Sequence, residues 1–147
     1  MRLALRPAGP ADAFAMGDIL WHFQHQHDWM PELYSLAECV TFCRAMIERG
    51  WCTIAELAGE VGGFLARDAE EICALYIADP AKGRGAGRLL VEHAKARSDR
   101  LELRCVEPNL AARGFYAAQG FVEAGTAPRG EDNLPAITYV WPKEGKA

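Results

Sequence analysis

A glycine-rich turn between an apolar strand and an amphipathic helix is the feature that most restricts how this chain can fold. The turn, Lys-Gly-Arg-Gly-Ala-Gly, occupies residues 82–87 and follows the apolar run Glu71 to Ala78. Leucines on one side and charged residues on the other predict a helix from Gly85 to Arg97. Backbone N–H groups exposed at such a turn, together with the helix N-terminus, form an anion site suited to a pyrophosphate.

Two common phosphate-binding motifs do not match this turn. The nucleoside-triphosphatase motif needs Gly-Lys followed by Ser or Thr after four spacer residues, and the sequence contains no such run. The dinucleotide motif Gly-x-Gly-x-x-Gly also fails. From Gly83 and Gly85 the third glycine position holds Arg88, and from Gly85 and Gly87 it holds Leu90. The remaining alternative is a tight connection that binds nothing.

The other segments predict strands and helices around one core. Apolar alternation or apolar runs predict strands at 2–6, 51–57, 61–67, 71–78, 101–106, 121–124 and 137–141. Apolar stripes predict further helices from Pro10 to about Gln24, from Ser35 to Gly50 and from Asn109 to Gln119. With 147 residues, half of them hydrophobic, the chain is expected to form a single domain over residues 1–147.

Composition limits the partners and the compartment. Twenty acidic and sixteen basic residues leave a net charge of −4, which disfavours nucleic acid as a partner. The five scattered cysteines are predicted to be reduced core residues. Cys39 and Cys43 have a metal-ligand spacing, but no second pair follows, so no metal is expected. The N-terminus lacks a long apolar segment and no run could span a membrane, which favours a cytoplasmic protein with no membrane partner.

Two motifs in the same order and spacing resemble those of the GCN5-related N-acetyltransferase (GNAT) superfamily. The first is the Lys-x-x-Gly-x-Gly sequence at 82–87, in which lysine replaces the family's Gln or Arg. The second is Asn-Leu-Ala-Ala-Arg-Gly-Phe-Tyr-Ala-Ala-Gln-Gly-Phe at 109–121. The resemblance covers essentially the whole chain. It implies an α+β fold whose mostly antiparallel sheet of six to seven strands is splayed between strands 4 and 5, with about four helices on both faces.

The resemblance also implies acetyl-CoA as the cosubstrate and residues that bind it. The main chain of Leu75, Tyr76 and Ile77 is expected to hold pantetheine and to polarise the acetyl carbonyl. Asn109 is expected to touch the pantetheine arm. The pyrophosphate is expected to bind the turn, which comprises Lys82, Gly83, Arg84, Gly85, Ala86, Gly87 and Arg88.

Two side chains are candidates for proton transfer. Tyr116 matches the family tyrosine that lies near the sulfur and acts as general acid, although it could instead be a core aromatic residue. Glu71 is a candidate general base, with Glu70 and Glu107 as alternatives. Each of these carboxylates is also consistent with a solvated strand end, and many relatives need no dedicated base.

The acceptor site is expected where the first two helices and their loop cover the sheet. In that loop His27, Trp29 and Met30 are candidate substrate-binding residues, and the alternative is a packed aromatic loop. The sequence thus favours an N-acetyltransferase for a primary amine of a small molecule or protein. A noncatalytic acyl-CoA-binding module, or a transferase for another acyl donor, is the alternative. A homodimer is left open.

Overall fold

The computed structural model describes residues 2–142, which form one seven-stranded sheet with helices on both faces. The strands are β1 (Leu3–Pro7), β2 (Cys52–Leu57), β3 (Glu60–Asp68), β4 (Glu71–Ile77), β5 (Arg100–Val106), β6 (Val122–Ala127) and β7 (Ala136–Pro142). The α-helices are α1 (Ala13–His25), α2 (Leu36–Glu48), α3 (Ala86–Lys95) and α4 (Leu110–Ala118). Short 3-10 turns lie at Pro10–Asp12 and Asp79–Ala81.

The strand order is β1-β2-β3-β4-β5-β7-β6, and every neighbouring pair is antiparallel except β4 and β5. β4 and β5 pair in parallel only at Glu71 with Glu102 and Ile72 with Leu103. Beyond Ile72 the two strands separate, so the second half of β4 is paired with β3 alone. The expected α+β fold, with its mostly antiparallel sheet splayed between strands 4 and 5, is confirmed.

Two local signals explain how α1 and α2 form a pair. The predicted capping box starts α2: Ser35 Oγ accepts from the Glu38 N–H at 3.1 Å, and Glu38 Oε1 accepts from the Ser35 N–H at 2.9 Å. Gly17 of α1 faces Val40 of α2 so closely that an added Cβ would lie 2.6 Å from Val40 Cγ2. The two helices therefore pack closely against each other at Gly17 and Val40.

The core lies on both faces of the sheet. On the face covered by α1 and α2, the fully buried side chains include Met16, Met46 and Phe64. On the face covered by α3 and α4 they include Leu90 and Leu101. Within residues 2–142 no helix is long and apolar enough to cross a membrane, and no cluster of three or more potential ligands could hold a metal ion.

The nearly continuous apolar run at 71–78 suggests a strand buried on both faces. This expectation is wrong, since burial alternates over the first half of β4 and is only partial from Leu75 to Ile77. Arg67 of β3 opposes Ile72, whereas the next β3 residue back, Ala66, opposes Ala74, so Cys73 has no partner on β3 and forms a bulge. Cys73 is exposed, which also contradicts its expected place in the core, while the other four cysteines are buried as predicted. Exposure follows because β5 has already separated from β4 at this point.

Several element boundaries also differ from the predictions by a few residues. The segment from Pro10 begins as a 3-10 turn before α1 starts. α1 extends to His25, and β6 continues to Ala127 instead of ending at Ala124. These differences lie at element ends, where local sequence preferences are weakest.

Candidate active site

A cleft of about 620 Å³, called the first cleft below, opens where β4 and β5 separate. Its walls are α1, the end of β4 from Leu75 to Ala78, the glycine-rich turn and the start of α4. The main-chain groups of this part of β4 that point away from β3 have no strand partner. They are available to hydrogen-bond an extended ligand lying between the two strands.

The glycine-rich turn forms one end of the first cleft. Gly83 and Gly85 have φ angles of +76° and +87°, in the left-handed region that glycine adopts without strain. Gly85 is the N-cap of α3. The first N–H groups of a helix have no hydrogen-bond partner within the helix, and the helix dipole adds partial positive charge at the same end. In α3 this end lies in the cleft wall, which includes Gly83 and Gly87.

Gly87 has a separate packing role in the first turn of α3. A Cβ at this position would lie 3.1 Å from Phe115 Cζ, so only a glycine lets the Phe115 ring pack against α3 at this distance. This contact places α4 next to the turn. At the start of α4, Asn109 Oδ1 accepts from the Ala112 N–H at 3.1 Å, and Asn109 lines the first cleft.

Tyr116 of α4 lines the first cleft within a group of aromatic rings. The centroids of Phe115, Phe121 and Tyr139 lie 5.3, 5.6 and 6.1 Å from its own. Its hydroxyl makes no hydrogen bond to any residue in the range 2–142. Burial raises the pKa of this hydroxyl well above its ordinary value, so Tyr116 is a neutral proton donor.

A polar network links the end of α1 to the turn at the mouth of the first cleft. Lys82 Nζ lies 2.8 Å from Asp79 Oδ1. Gln26 Nε2 donates to both oxygens of Asp79 at 3.1 Å. The hydrogen bond and charge of Lys82 lower the pKa of Asp79 below its ordinary value. Lys82 is therefore already neutralised by a carboxylate beside the predicted anion site.

A second cleft of about 810 Å³ lies on the α1–α2 side of β4. Its walls come from α1, the α1–α2 loop, α2, Cys73 and Tyr76 of β4, Arg104 of β5 and the β6–β7 loop. Most of the lining is apolar, with three carboxylates among it, one from α2 and two from the β6–β7 loop. They belong to Glu38, Glu131 and Asp132.

Arg104 holds the β6–β7 loop against the sheet in this second cleft. Its Nη2 lies 3.1 Å from Asp132 Oδ1, and its Nε donates to Pro128 O at 3.0 Å. Burial opposes the charged form of Asp132, but hydrogen bonds from Arg104 and from the Leu134 N–H outweigh it and lower the pKa of Asp132. Asp132 is therefore an ionised carboxylate facing a largely apolar cleft.

Phe23 and Tyr76 line both clefts. Their rings pack edge to face with centroids 5.0 Å apart. These two side chains therefore form the boundary at which a ligand in the first cleft could meet a ligand in the second.

Buried Gln24 fixes the loop beside this boundary. Its Oε1 accepts from the N–H groups of Leu33 and Tyr34 at 2.7 and 2.9 Å, and its Nε2 donates to Tyr34 O at 3.0 Å. One side chain thus satisfies three main-chain groups of the α1–α2 loop. This arrangement gives the second cleft a defined wall despite the absence of regular structure there.

Comparison with known proteins identifies the family. A family model described as an acetyltransferase (GNAT) domain matches residues 41–142, which include β4, the glycine-rich turn and α4. The chain belongs to the GNAT acetyltransferase family. It is accordingly an N-acetyltransferase whose cosubstrate is acetyl-CoA.

Two curated relatives and one solved structure show how far the GNAT likeness extends. The 5-NmdU N-acetyltransferase of Pseudomonas phage PaMx11 is 39% identical over 97 residues, which are 59% of this chain and 68% of that protein. The peptidyl-lysine N-acetyltransferase YiaC of Escherichia coli K12 is 29% identical over 107 residues, 71% of this chain and 73% of YiaC. The apo-form YjaB structure from Escherichia coli matches with a TM-score of 0.78 at 24% identity, covering 99% of this chain and all of YjaB, which supports the fold.

The first cleft fits the GNAT cosubstrate. It is long enough to run from the free amides of the glycine-rich turn to Tyr116, and its floor is the unpaired edge of β4. The glycines at 83 and 85 are required by the backbone, and no side chain at either position fills the space above the turn. A pyrophosphate bound there would meet N–H donors at a helix N-terminus.

The structure brings most of the predicted cosubstrate-binding residues together. Those that line the first cleft are Leu75, Tyr76, Ile77, Lys82, Gly83, Gly87, Asn109 and Tyr116. Gly85 and the buried Ala86 shape the turn from behind. The side chains of Arg84 and Arg88 turn elsewhere: Arg84 Nε donates to Pro80 O at 3.0 Å, and Arg88 lies 3.7 Å from Glu92.

The structure does not bring Glu71 to the site. Glu71 is exposed at the start of β4, whereas both clefts are lined by later residues of that strand. Four residues of strand separate Glu71 from Leu75, a distance of about 13 Å. Its expected role as general base has no geometric support, because the Glu71 side chain is exposed to solvent and lines neither cleft.

The predicted acceptor residues are divided between the two clefts. His27 lines the first cleft and Met30 the second. Trp29 lines neither and stacks on His27, with ring centroids 4.7 Å apart and an interplanar angle of 20°. Sequence reasoning missed Phe23, Gln24 and Asp132. Phe23 was visible only as part of an apolar helix face, and nothing in the local sequence marks Gln24 or Asp132.

Proposed function

We propose that acetyl-CoA occupies the first cleft and that the amine acceptor enters through the second, so that the acetyl group is transferred beside Phe23 and Tyr76. The observation that carries this proposal is that these two side chains line both clefts where β4 has lost its β5 neighbour. Acetyl-CoA supplies an activated acetyl group as a thioester. The protein has to align that group with a neutral amine.

The donor is held mainly by the main chain in this proposal. The amides at the start of α3 bind the pyrophosphate, assisted by the helix dipole. The unpaired edge of Leu75, Tyr76 and Ile77 holds the pantetheine arm and donates a hydrogen bond to the acetyl carbonyl. Asn109 completes the wall near the arm, since its side chain lines the cleft while capping α4.

Tyr116 is the proposed general acid for the departing thiolate. Its hydroxyl lies in the wall of the first cleft without a hydrogen bond to the residues described, and burial keeps it protonated. No carboxylate of β4 is needed as base in this scheme. The second cleft lets the acceptor lose its proton to solvent before it reaches the boundary.

The proposed acceptor is the side-chain amine of a peptide lysine. Three carboxylates against the single cation Arg104 leave the second cleft with an excess of negative charge, which favours a cationic substrate. Its apolar lining suits the methylene chain of lysine. The relative YiaC is named a peptidyl-lysine N-acetyltransferase. The 5-NmdU named for the phage relative is the comparison acceptor.

The proposal includes a cytoplasmic location for a single-domain protein. Four buried, unpaired cysteines are consistent with a reducing compartment. A homodimer stays a prediction, and sedimentation at several concentrations would test it. Nucleic acid and membranes are not proposed as partners.

An acceptor panel tests the proposed function. The wild type is incubated with acetyl-CoA and a lysine peptide, the same peptide with its side-chain amine blocked, or 5-NmdU, and free thiol is measured. We expect thiol release only with the unblocked peptide and a mass gain of one acetyl group on its lysine. Release with 5-NmdU alone would refute the lysine assignment, and no release with any amine would refute the proposed acceptor path.

A further inference from the structure

Tyr76 lies at the boundary of the two clefts for a structural reason. The bulge at Cys73 changes the phase of β4, so that Tyr76 packs with Phe23 and Phe64 on the α1–α2 side of the sheet. The two ring centroids lie 5.0 and 5.9 Å from that of Tyr76. The ring is therefore held in place while its edge remains half-buried in both cleft walls.

The hydroxyl of Tyr76 is not used by the fold. It makes no hydrogen bond to any residue between 2 and 142. Burial, with smaller contributions from Cys43, Asp132 and Cys39, raises its pKa to about 12, so it stays neutral. Tyr76 lines the second cleft together with Asp132 and Cys39, so its side chain can be reached from the proposed acceptor side.

We infer that the Tyr76 side chain is a catalytic residue for the acceptor: its hydroxyl accepts a hydrogen bond from the attacking amine and directs the nitrogen lone pair at the acetyl carbon. This role rests on the proposed function. It differs from the main-chain role of Tyr76 toward the donor. One residue of β4 would then contact both substrates, with its backbone on the donor and its phenol on the amine.

The reaction explains why a neutral hydroxyl that accepts a hydrogen bond from the amine suits the position of Tyr76. A neutral primary amine attacks through its lone pair and has two N–H bonds to donate. As the N–C bond forms, the nitrogen becomes positive, and the ionised Asp132 in the same cleft favours that charge. The C–S bond then breaks and the thiolate takes a proton from Tyr116. The nitrogen releases its extra proton to solvent, and solvent returns a proton to the Tyr116 phenolate, which restores the enzyme.

The test compares Tyr76→Phe with Tyr139→Phe. Both variants keep the ring and remove one tyrosine hydroxyl, but Tyr139 lines neither cleft. For Tyr76→Phe we expect kcat/KM for the lysine peptide to fall about tenfold, as for loss of one substrate hydrogen bond. Acetyl-CoA affinity, measured by calorimetry, should not change in either variant, and Tyr139→Phe should keep its turnover.

Three results would overturn this inference. Equal kcat/KM values for Tyr76→Phe and Tyr139→Phe would show that the Tyr76 hydroxyl is not used. A matching loss of acetyl-CoA affinity in Tyr76→Phe would indicate a general structural role. If the wild type itself transfers no acetyl group to the lysine peptide, the proposed function fails first, and the role of Tyr76 toward that amine fails with it.

Discussion

The two clefts on either side of the Phe23–Tyr76 boundary are built in different ways. The first is formed largely by main chain, from the unpaired edge of β4 and the glycine-rich turn that follows it directly in sequence. The second is formed by side chains from α1, α2, β4, β5 and the β6–β7 loop. The proposed donor cleft is thus shaped mainly by backbone geometry, whereas the proposed acceptor cleft is shaped by side chains from separate elements of the fold.

The largest effect is expected in the first cleft, at the proposed general acid. Tyr116→Phe should lower kcat by about a hundredfold, because the departing thiolate loses its acid, while acetyl-CoA affinity stays unchanged. The pKa of Tyr116 is raised, so the wild-type kcat should not fall as pH rises through about 9, where an ordinary tyrosine would begin to ionise. Assays of thiol release would measure kcat for the variant and for the wild type, and repeating them across pH would give the pH dependence of the wild-type kcat.

Tyr139→Phe is the matched control for Tyr116→Phe. Tyr139 is a buried tyrosine whose ring centroid lies 6.1 Å from that of Tyr116, but it does not line the first cleft. Its variant should keep kcat. Full turnover in Tyr116→Phe, or equal losses in both variants, would contradict the acid role.

A smaller effect, confined to the first cleft, is expected from Gly85→Ala. An L-residue at a φ of +87° is strained, and the altered turn should weaken acetyl-CoA binding about tenfold. The KM for the amine should not change. Gly114→Ala is the control, because Gly114 lies in α4 with no atom within 4 Å of an added Cβ. Unchanged calorimetric affinity in Gly85→Ala would remove the glycine-rich turn from the donor site.

The smallest effect is expected from a single charge at the edge of the second cleft. Glu131→Gln should raise the KM for a lysine peptide about threefold, and added salt should reduce the difference, because exposed charges are screened. Glu60→Gln makes the same change in net charge at an exposed position outside both clefts. If the two variants raise the KM equally, the edge carboxylates do not select a cationic acceptor.

Much of the fold and of the donor site could be predicted because the signals are local. The capping box at Ser35 and Glu38, and the glycines at 83 and 85, specify a helix start and a left-handed turn within a few residues. These features locate the anion site regardless of how the rest of the chain packs. Tyr116 could be singled out only because residues 109–121 resemble the GNAT motif that contains a tyrosine at this position.

The residues that the predictions misplaced depend on pairing between distant segments. Cys73 was expected in the core, but the bulge in β4 and the departure of β5 leave it exposed. Glu71 was expected near the chemistry, but the clefts open farther along the same strand. Neither the register of β3 with β4 nor the point of separation can be read from the apolar run alone.

By itself, then, the sequence determined the order of strands and helices, the anion-binding turn and the candidate acid, since each is specified by neighbours along the chain. Only the tertiary structure decided that Phe23 and Tyr76 separate two clefts and that Asp132 faces the second. These side chains come from α1, β4 and the β6–β7 loop. Their proximity depends on strand register and helix packing, which involve residues far apart in sequence.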